Sequence, residues 1–211
     1  MDIVNKALLF LASLLIVLGF LVQNRPVDIE KSTVKVCAIF SLGMKCGTGM
    51  QVDGGRVITD FHVISPDGPL KPIILVLKSG MTTFIPAIVI STDAGRDLAI
   101  LNTQYNKKSD VILRESYRLG DEVDVIGNPG GRDFERTKTT ITGTFLSYIP
   151  GVGFTDLIQL DSQNNRIRAG YSGGGVFLNG EMIGTVEACE YQSNTCLAIP
   201  TKILKSQLRV K

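Results

Sequence analysis

One histidine and no tryptophan occur in 211 residues. A single imidazole excludes every mechanism that needs two, the HExxH zinc proteases among them. Excess charge is also missing. The 22 Lys+Arg against 20 Asp+Glu leave +2, and no local basic patch supplies the field that holds a polyanion, so no nucleic-acid partner is expected. There is no Asn-x-Ser/Thr site for N-glycosylation, no sequence repeat and no low-complexity tract. What the chain does have is 44% hydrophobic residues, enough for a sizeable core, and 22 Gly with 8 Pro. That economy suits many short strands joined by tight turns.

An uncharged apolar run extends from Ala7 to Val22, long enough to contact most of a bilayer as a helix. It reads as a cleaved signal peptide or as a retained anchor. The absence of a small-x-small cleavage site before Gln23, with an apolar run longer than most signal-peptide cores, favours the anchor over the signal peptide, and a buried core helix is the remaining, less favoured reading. Residues 1–24 are thus expected to form the membrane segment, with 4–22 in contact with lipid, and residues 25–32 a polar linker. Residues 33–211 then form one folded domain.

Within it, a dozen short β-branched or alternating runs follow one another. They are Val34–Phe40, Gly49–Val52, Arg56–Thr59, Ile73–Leu77, Phe84–Ile90, Leu98–Leu101, Glu122–Ile126, Lys138–Tyr148, Leu157–Leu160, Gly175–Leu178, Met182–Glu187 and Leu197–Ile199. Their connections are too short for crossover helices, which excludes a βαβ sheet and leaves an all-β sandwich or barrel. Asp53-Gly54-Gly55 and Asn179-Gly180 read as hairpin turns. The polar stretch Gln104–Leu119 divides the list into two β-lobes, at about 33–104 and 119–200, and Thr201–Lys211 ends the chain with a short helix.

The four cysteines come as two close pairs, Cys37 with Cys46 and Cys189 with Cys196. In an exported domain each pair could staple one hairpin as a disulfide. A zinc site lacks the CxxC spacing that grips a tetrahedral metal, and buried free thiols remain a third reading.

The chemistry centres on Arg168-Ala-Gly170-Tyr-Ser172-Gly-Gly-Gly175, a serine in a glycine-rich turn before a strand. A serine hydroxyl needs a base to become a nucleophile, and His62, at the end of an apolar strand, is the only imidazole available. Asp97, placed directly before the strand Leu98–Leu101, can fix that imidazole's tautomer. The chain order His62, Asp97, Ser172 excludes an α/β-hydrolase, where histidine follows the serine. A papain-like pairing is excluded by the closeness of Cys37 and Cys46 to His62.

Six segments, in order, resemble the trypsin-like serine proteases, most closely the HtrA/Deg branch. They are Thr59-Asp-Phe-His62-Val, Asp97-Leu-Ala-Ile-Leu101, Val125-Ile-Gly127-Asn-Pro129-Gly, Gly170-Tyr-Ser172-Gly-Gly, Asn179-Gly-Glu-Met-Ile-Gly184 and Leu197-Ala-Ile-Pro200. The resemblance spans roughly Thr33 to Ile203. It implies an all-β fold of two six-stranded antiparallel barrels with His62, Asp97 and Ser172 in the cleft between them, and hydrolysis of peptide bonds in protein or peptide substrates. It implies an oxyanion hole from the backbone N–H groups of Gly170 and Ser172, and substrate contacts at Val186, Glu187 and Ala188, with Arg166 at the floor of the specificity pocket. A solvated Arg166, or one paired with Glu187, is the competing reading. No cofactor and no metal are implied, and self-association is left open.

Three departures stand out. Tyr171 occupies the position where digestive relatives carry the Asp that receives a freed N-terminus, Asp60 stands where HtrA-like chains carry Asn, and no PDZ domain is expected after the protease. The reading is therefore a membrane-anchored serine endopeptidase on the periplasmic or extracellular side. The alternative is a catalytically silent module of the same fold that binds extended peptides or a membrane partner.

Overall fold

The computed structural model describes residues 29–208, apart from 42, 66–70, 105–108, 110, 130–133, 150–152, 163–165 and 191. The apolar run 7–22 lies outside the described residues, and among these no helix is long and apolar enough to cross a membrane.

Twelve strands form two closed antiparallel barrels. The first has the order β1-β2-β3-β6-β5-β4 and the second β10-β11-β12-β9-β8-β7. The strands are β1 Thr33–Phe40, β2 Gly43–Gln51, β3 Arg56–Asp60, β4 Ile73–Lys78, β5 Ile85–Asp93, β6 Leu98–Thr103, β7 Glu122–Gly127, β8 Glu135–Ile149, β9 Gly153–Asp161, β10 Gly175–Leu178, β11 Glu181–Glu190 and β12 Thr195–Pro200. Closure removes the sheet edges that short strands would otherwise expose. Helix α1 (Phe61–Ile64) follows β3, and α2 (Thr201–Leu208) follows β12.

Each strand read from the sequence is present, and several run longer than the apolar pattern indicates. β2 starts at Gly43 rather than Gly49, because Met44 to Thr48 lack alternation yet pair residue by residue with β1, Cys37 opposite Cys46. β8 extends to 15 residues, its polar half held by the β7 ladder from Glu122↔Thr140 to Gly127↔Glu135. At the β10–β11 turn Asn179 and Gly180 both adopt positive φ, 54° and 81°, which that two-residue hairpin requires.

Val34, Val36, Val57, Val76, Ala99 and Leu101 fill the first barrel, and Val125, Ile141, Ile158, Leu160, Ile183 and Tyr171 the second. A third cluster joins the two: Met50, Ile58 and Leu98 from one barrel meet Ile126, Phe177 and Met182 from the other. Helix α2 closes this seam through Leu204, which is 1% exposed. Its end is tied back to the first barrel, Arg56 donating to the Leu208 carbonyl (2.8 Å) and Gln207 to Asp93 (2.9 Å).

Candidate active site

β3 ends at Asp60 and the chain turns into α1, which delivers His62 to the mouth of the cleft with half of its side chain exposed. Beside the end of β3, the turn Ala94–Arg96, which leads into the neighbouring strand β6, is capped by Asp93, which accepts from the Arg96 amide. The turn ends at Asp97 in the left-handed region, φ 52°, a conformation that Asp tolerates better than most residues. That turn aims the Asp97 carboxyl back at α1. One oxygen accepts from the His62 amide at 2.8 Å, and the other lies 2.6 Å from His62 Nδ1. The Asp97 carbonyl accepts from the Phe61 amide (3.0 Å). Histidine and aspartate, 35 residues apart, are thus locked by backbone as well as side chain. The carboxylate fixes the proton on Nδ1, leaving Nε2 free to accept one.

Ser172 comes from the second barrel, in the loop before β10. The loop is suspended from the first barrel by Thr48: its amide donates to the Ser172 carbonyl (2.8 Å), and its hydroxyl donates to the Gly170 carbonyl (2.6 Å). The same hydroxyl accepts from the Asn128 amide (2.8 Å). Glycine is required around the serine. Gly173 has φ +78°, and a Cβ there would lie 2.2 Å from the Thr48 carbonyl oxygen; at Gly174 it would lie 2.2 Å from that of Ile126. Among the described residues, the amides of Gly170 and Ser172 donate to no group of the protein. The Ser172 hydroxyl donates to the Glu187 carbonyl at 3.5 Å and makes no hydrogen bond to His62.

Tyr171 is fully buried in the second core. Its ring lies under Gly127, where an added Cβ would come within 2.4 Å of it, and its hydroxyl meets that of Thr137 at 3.3 Å. Burial pushes the phenol pKa up. The residue between the two donors therefore anchors the loop by packing, where a carboxylate would need a cationic partner.

Val186 closes the loop from below, accepting from the Gly173 amide and donating to the Gly174 carbonyl, both at 2.8 Å. β10 pairs with β11 no further than Gly175↔Thr185, so the β11 flank beyond Val186 is unpaired with β10 and runs beside Ser172. Ala188, Cys189 and Glu190 line a cavity of about 370 Å³ with Phe145, Gln159 and Leu197. Arg166 is exposed and lines a separate cavity with Glu122, Lys138 and Asp161. Among the described residues no Arg166–Glu187 ion pair forms. Both cysteine pairs are disulfide-bonded across hairpins, Cys37–Cys46 on β1–β2 and Cys189–Cys196 on β11–β12.

Behind His62 the site is acidic. Asp60 is fully buried, and neither of its carboxyl oxygens makes a well-formed hydrogen bond, the nearby Gly173 amide being given to the Val186 carbonyl and only weakly favouring the charged carboxyl; Oε2 of Glu187 is likewise buried without a partner. Burial first, then the charges of Asp97 and Glu187, hold Asp60 well above the ordinary carboxylate range. Burial, then Asp97, push Glu187 up to about 7, against a smaller opposing effect of His62. One ligand atom each from Asp60, His62 and Asp97 fall within 4.8 Å of one another, although the nearest pair is already joined by the histidine–aspartate bond. Asp60 and Thr48 were not identifiable as site residues from sequence. The signals available for Asp60 are its place at an otherwise apolar strand end two residues before the histidine and its departure from the Asn of HtrA-like chains; Thr48 has none.

Residues 47–184 match the family model described as trypsin-like peptidase domain. The periplasmic serine endoprotease DegP of Salmonella typhimurium is 31% identical over 147 residues, 67% of this chain and 29% of DegP. The serine protease Rv3671c of Mycobacterium tuberculosis is 29% identical over 173 residues, 77% of this chain and 42% of that protein. The chain thus spans under half the length of these curated relatives. The crystal structure of the active form of Rv3671c superposes with a TM-score of 0.74 at 25% identity, over 85% of this chain and 80% of that one. The HtrA-type protease AlgW with tripeptide shares the fold, with a TM-score of 0.73 at 23% identity over 85% of this chain and 60% of that one.

Proposed function

Because this chain belongs to the trypsin-like peptidase domain family, we propose that it is an exported serine endopeptidase in which Ser172 attacks the scissile carbonyl. His62 takes the serine proton and passes it to the leaving amine, while Asp97 holds the imidazole and stabilises the imidazolium. The amides of Gly170 and Ser172 receive the negative charge that develops on the carbonyl oxygen. The observation that carries this reading is the convergence of a bonded His62–Asp97 pair on one barrel with a serine loop on the other whose two amides are unspent.

An extended peptide adds to the open flank of β11 at Val186, Glu187 and Ala188. Acidic side chains before the scissile bond would be drawn to Arg166 if it turned into the cleft. The apolar run 7–22 anchors the chain, with the protease domain on the periplasmic or extracellular side, where the two disulfides persist. The names of the DegP relatives as periplasmic support export.

One observation favours a second reading. The Ser172 hydroxyl bonds to the Glu187 carbonyl instead of His62, as in a silent module that binds peptides without cutting them. Fluorophosphonate labelling separates the two, since the reagent reports an activated serine without needing a substrate. Labelling of the wild type, abolished in Ser172→Ala and His62→Ala, is the expected result. A folded wild type that does not label even with peptides and lipid present would favour the module.

A further inference from the structure

The outer wall of the first barrel is more apolar than a water-facing sheet should be. Alternation sends Val36, Ala38 and Ile74 into the core and turns their neighbours outward. Met44 of β2, Ile39 of β1 and Ile73 of β4 stand directly opposite one another across three strands, and are 61%, 37% and 62% exposed. Leu75 and Pro86 continue the face in the next row, and Ile88, two residues beyond Pro86, is 73% exposed. A contiguous apolar patch of this kind marks a contact surface. Its charge narrows the choice of partner. From Thr33 to Gln51 and from Lys71 to Thr92, the segments that hold β1, β2, β4 and most of β5, there is no aspartate or glutamate, but there are Lys35, Lys45, Lys71 and Lys78. Lys71 is exposed two residues before Ile73, and Lys35 lies at the other end of the face with its ammonium 6.0 Å over the Phe84 ring.

We propose that this face rests on an anionic lipid bilayer, with its apolar side chains at the headgroup boundary and its lysines against lipid phosphates. The proposal rests on the reading of the apolar run 7–22 as an anchor, and adds which side of the domain the membrane meets. Only six residues separate Val22 from Ile29, the first of the described fold, a tether of at most about 25 Å. A domain so held meets the bilayer continually, and an apolar face with a cationic border and no carboxylate is what an anionic interface attracts. A second copy fits the face less well, because a two-fold contact through it brings lysines towards lysines with no acid to answer them. In the barrel order β1-β2-β3-β6-β5-β4, the strands β3 and β6 that flank His62 and Asp97 lie across the ring from β4 and β1. Docking therefore leaves the His62 side open to water.

The absence of tryptophan makes the test direct. The full chain is reconstituted at one copy per nanodisc, in phosphatidylglycerol and phosphatidylcholine with or without brominated acyl chains, and carries Ile73→Trp, Ile88→Trp or Phe154→Trp as its only indole. Phe154, 71% exposed on β9 of the second barrel, serves as the comparison. Bromine quenches an indole seated at the acyl boundary, about 5–10 Å deep. Ile73→Trp and Ile88→Trp should lose most of their emission in brominated discs, and Phe154→Trp should keep most of its own. High salt should weaken the quenching. Equal quenching at all three sites, or quenching at Phe154→Trp alone, would overturn the proposal. Quenching as strong in discs of phosphatidylcholine alone would overturn the choice of an anionic surface. Emission that ignores bromine on the disc but shifts to the blue with protein concentration in detergent would give the face to a second copy. A chain that stays on the disc with both isoleucine sites unquenched overturns this proposal and leaves the anchor standing, whereas a chain that leaves the disc sinks both. Fluorophosphonate labelling of the same samples reports separately on Ser172.

Discussion

Thr48 carries more of the site than its size suggests. One hydroxyl accepts from the Asn128 amide and donates to the Gly170 carbonyl, so it fixes the peptide that precedes the nucleophile. Thr48→Val keeps the shape and leaves the buried Asn128 amide and the part-buried Gly170 carbonyl without that partner, which should cost about 1–3 kcal/mol in urea denaturation. Labelling of Ser172 should slow by more than the loss of folded protein explains; an unchanged labelling rate would show that the tether is dispensable. This residue also marks where sequence reading stops. His62, Asp97 and Ser172 stand out because each has a distinctive local setting: a strand end, a cap before a strand, a glycine turn. Thr48 reaches across 80 and 122 residues to its partners, and nothing around Cys46-Gly-Thr-Gly announces either contact. Asp60 was legible only as an oddity, because its meaning depends on Asp97 and Glu187 folding against it.

At the scale of elements, the strand pattern was largely open to view, since apolar alternation and glycine turns are local signals. The errors lie at ends that other strands hold in place, as at Met44–Thr48 and the first residues of β8, Glu135 to Thr137. The closure of each set of six into a barrel is a property of twist and register that no single run contains. The β11–β12 hairpin shows how an element serves the site. β11 brings Val186 under the serine loop, and Cys189–Cys196 clamps the same two strands a few residues further on. Replacing both cysteines by serine should lower stability by about 2–3 kcal/mol, as opening a short loop does. The check is the shift in Tm against the wild type without reductant. If the hairpin also aligns the peptide, KM for a cleaved peptide should rise; a fall in Tm with KM unaltered would confine the bond to a structural role.

For the whole molecule, the buried acids tie stability to pH. Asp60 and Glu187 hold protons in the fold that they would release in the unfolded chain above about pH 4. The folded state therefore binds more protons through that window. Stability from this source is complete below the unfolded value and is lost as pH rises through about 7 for Glu187 and through the raised value of Asp60. Unfolding free energies from urea denaturation should fall from pH 5 to pH 8 by on the order of 2 kcal/mol more in the wild type than in a chain carrying Asp60→Asn and Glu187→Gln. Equal falls would mean that both groups are ionised in the fold throughout. The disulfides have a different consequence at this scale. They close spans of 9 and 7 residues, and neither joins the two barrels. Of the three ways to pair four cysteines, the native one unites each with its immediate neighbour in the chain. A polypeptide entering an oxidising compartment from its N-terminus presents Cys37 and Cys46 together, long before Cys189 emerges. The order of delivery thus writes the correct pairing, and such a chain can mature without a disulfide isomerase to undo mistakes.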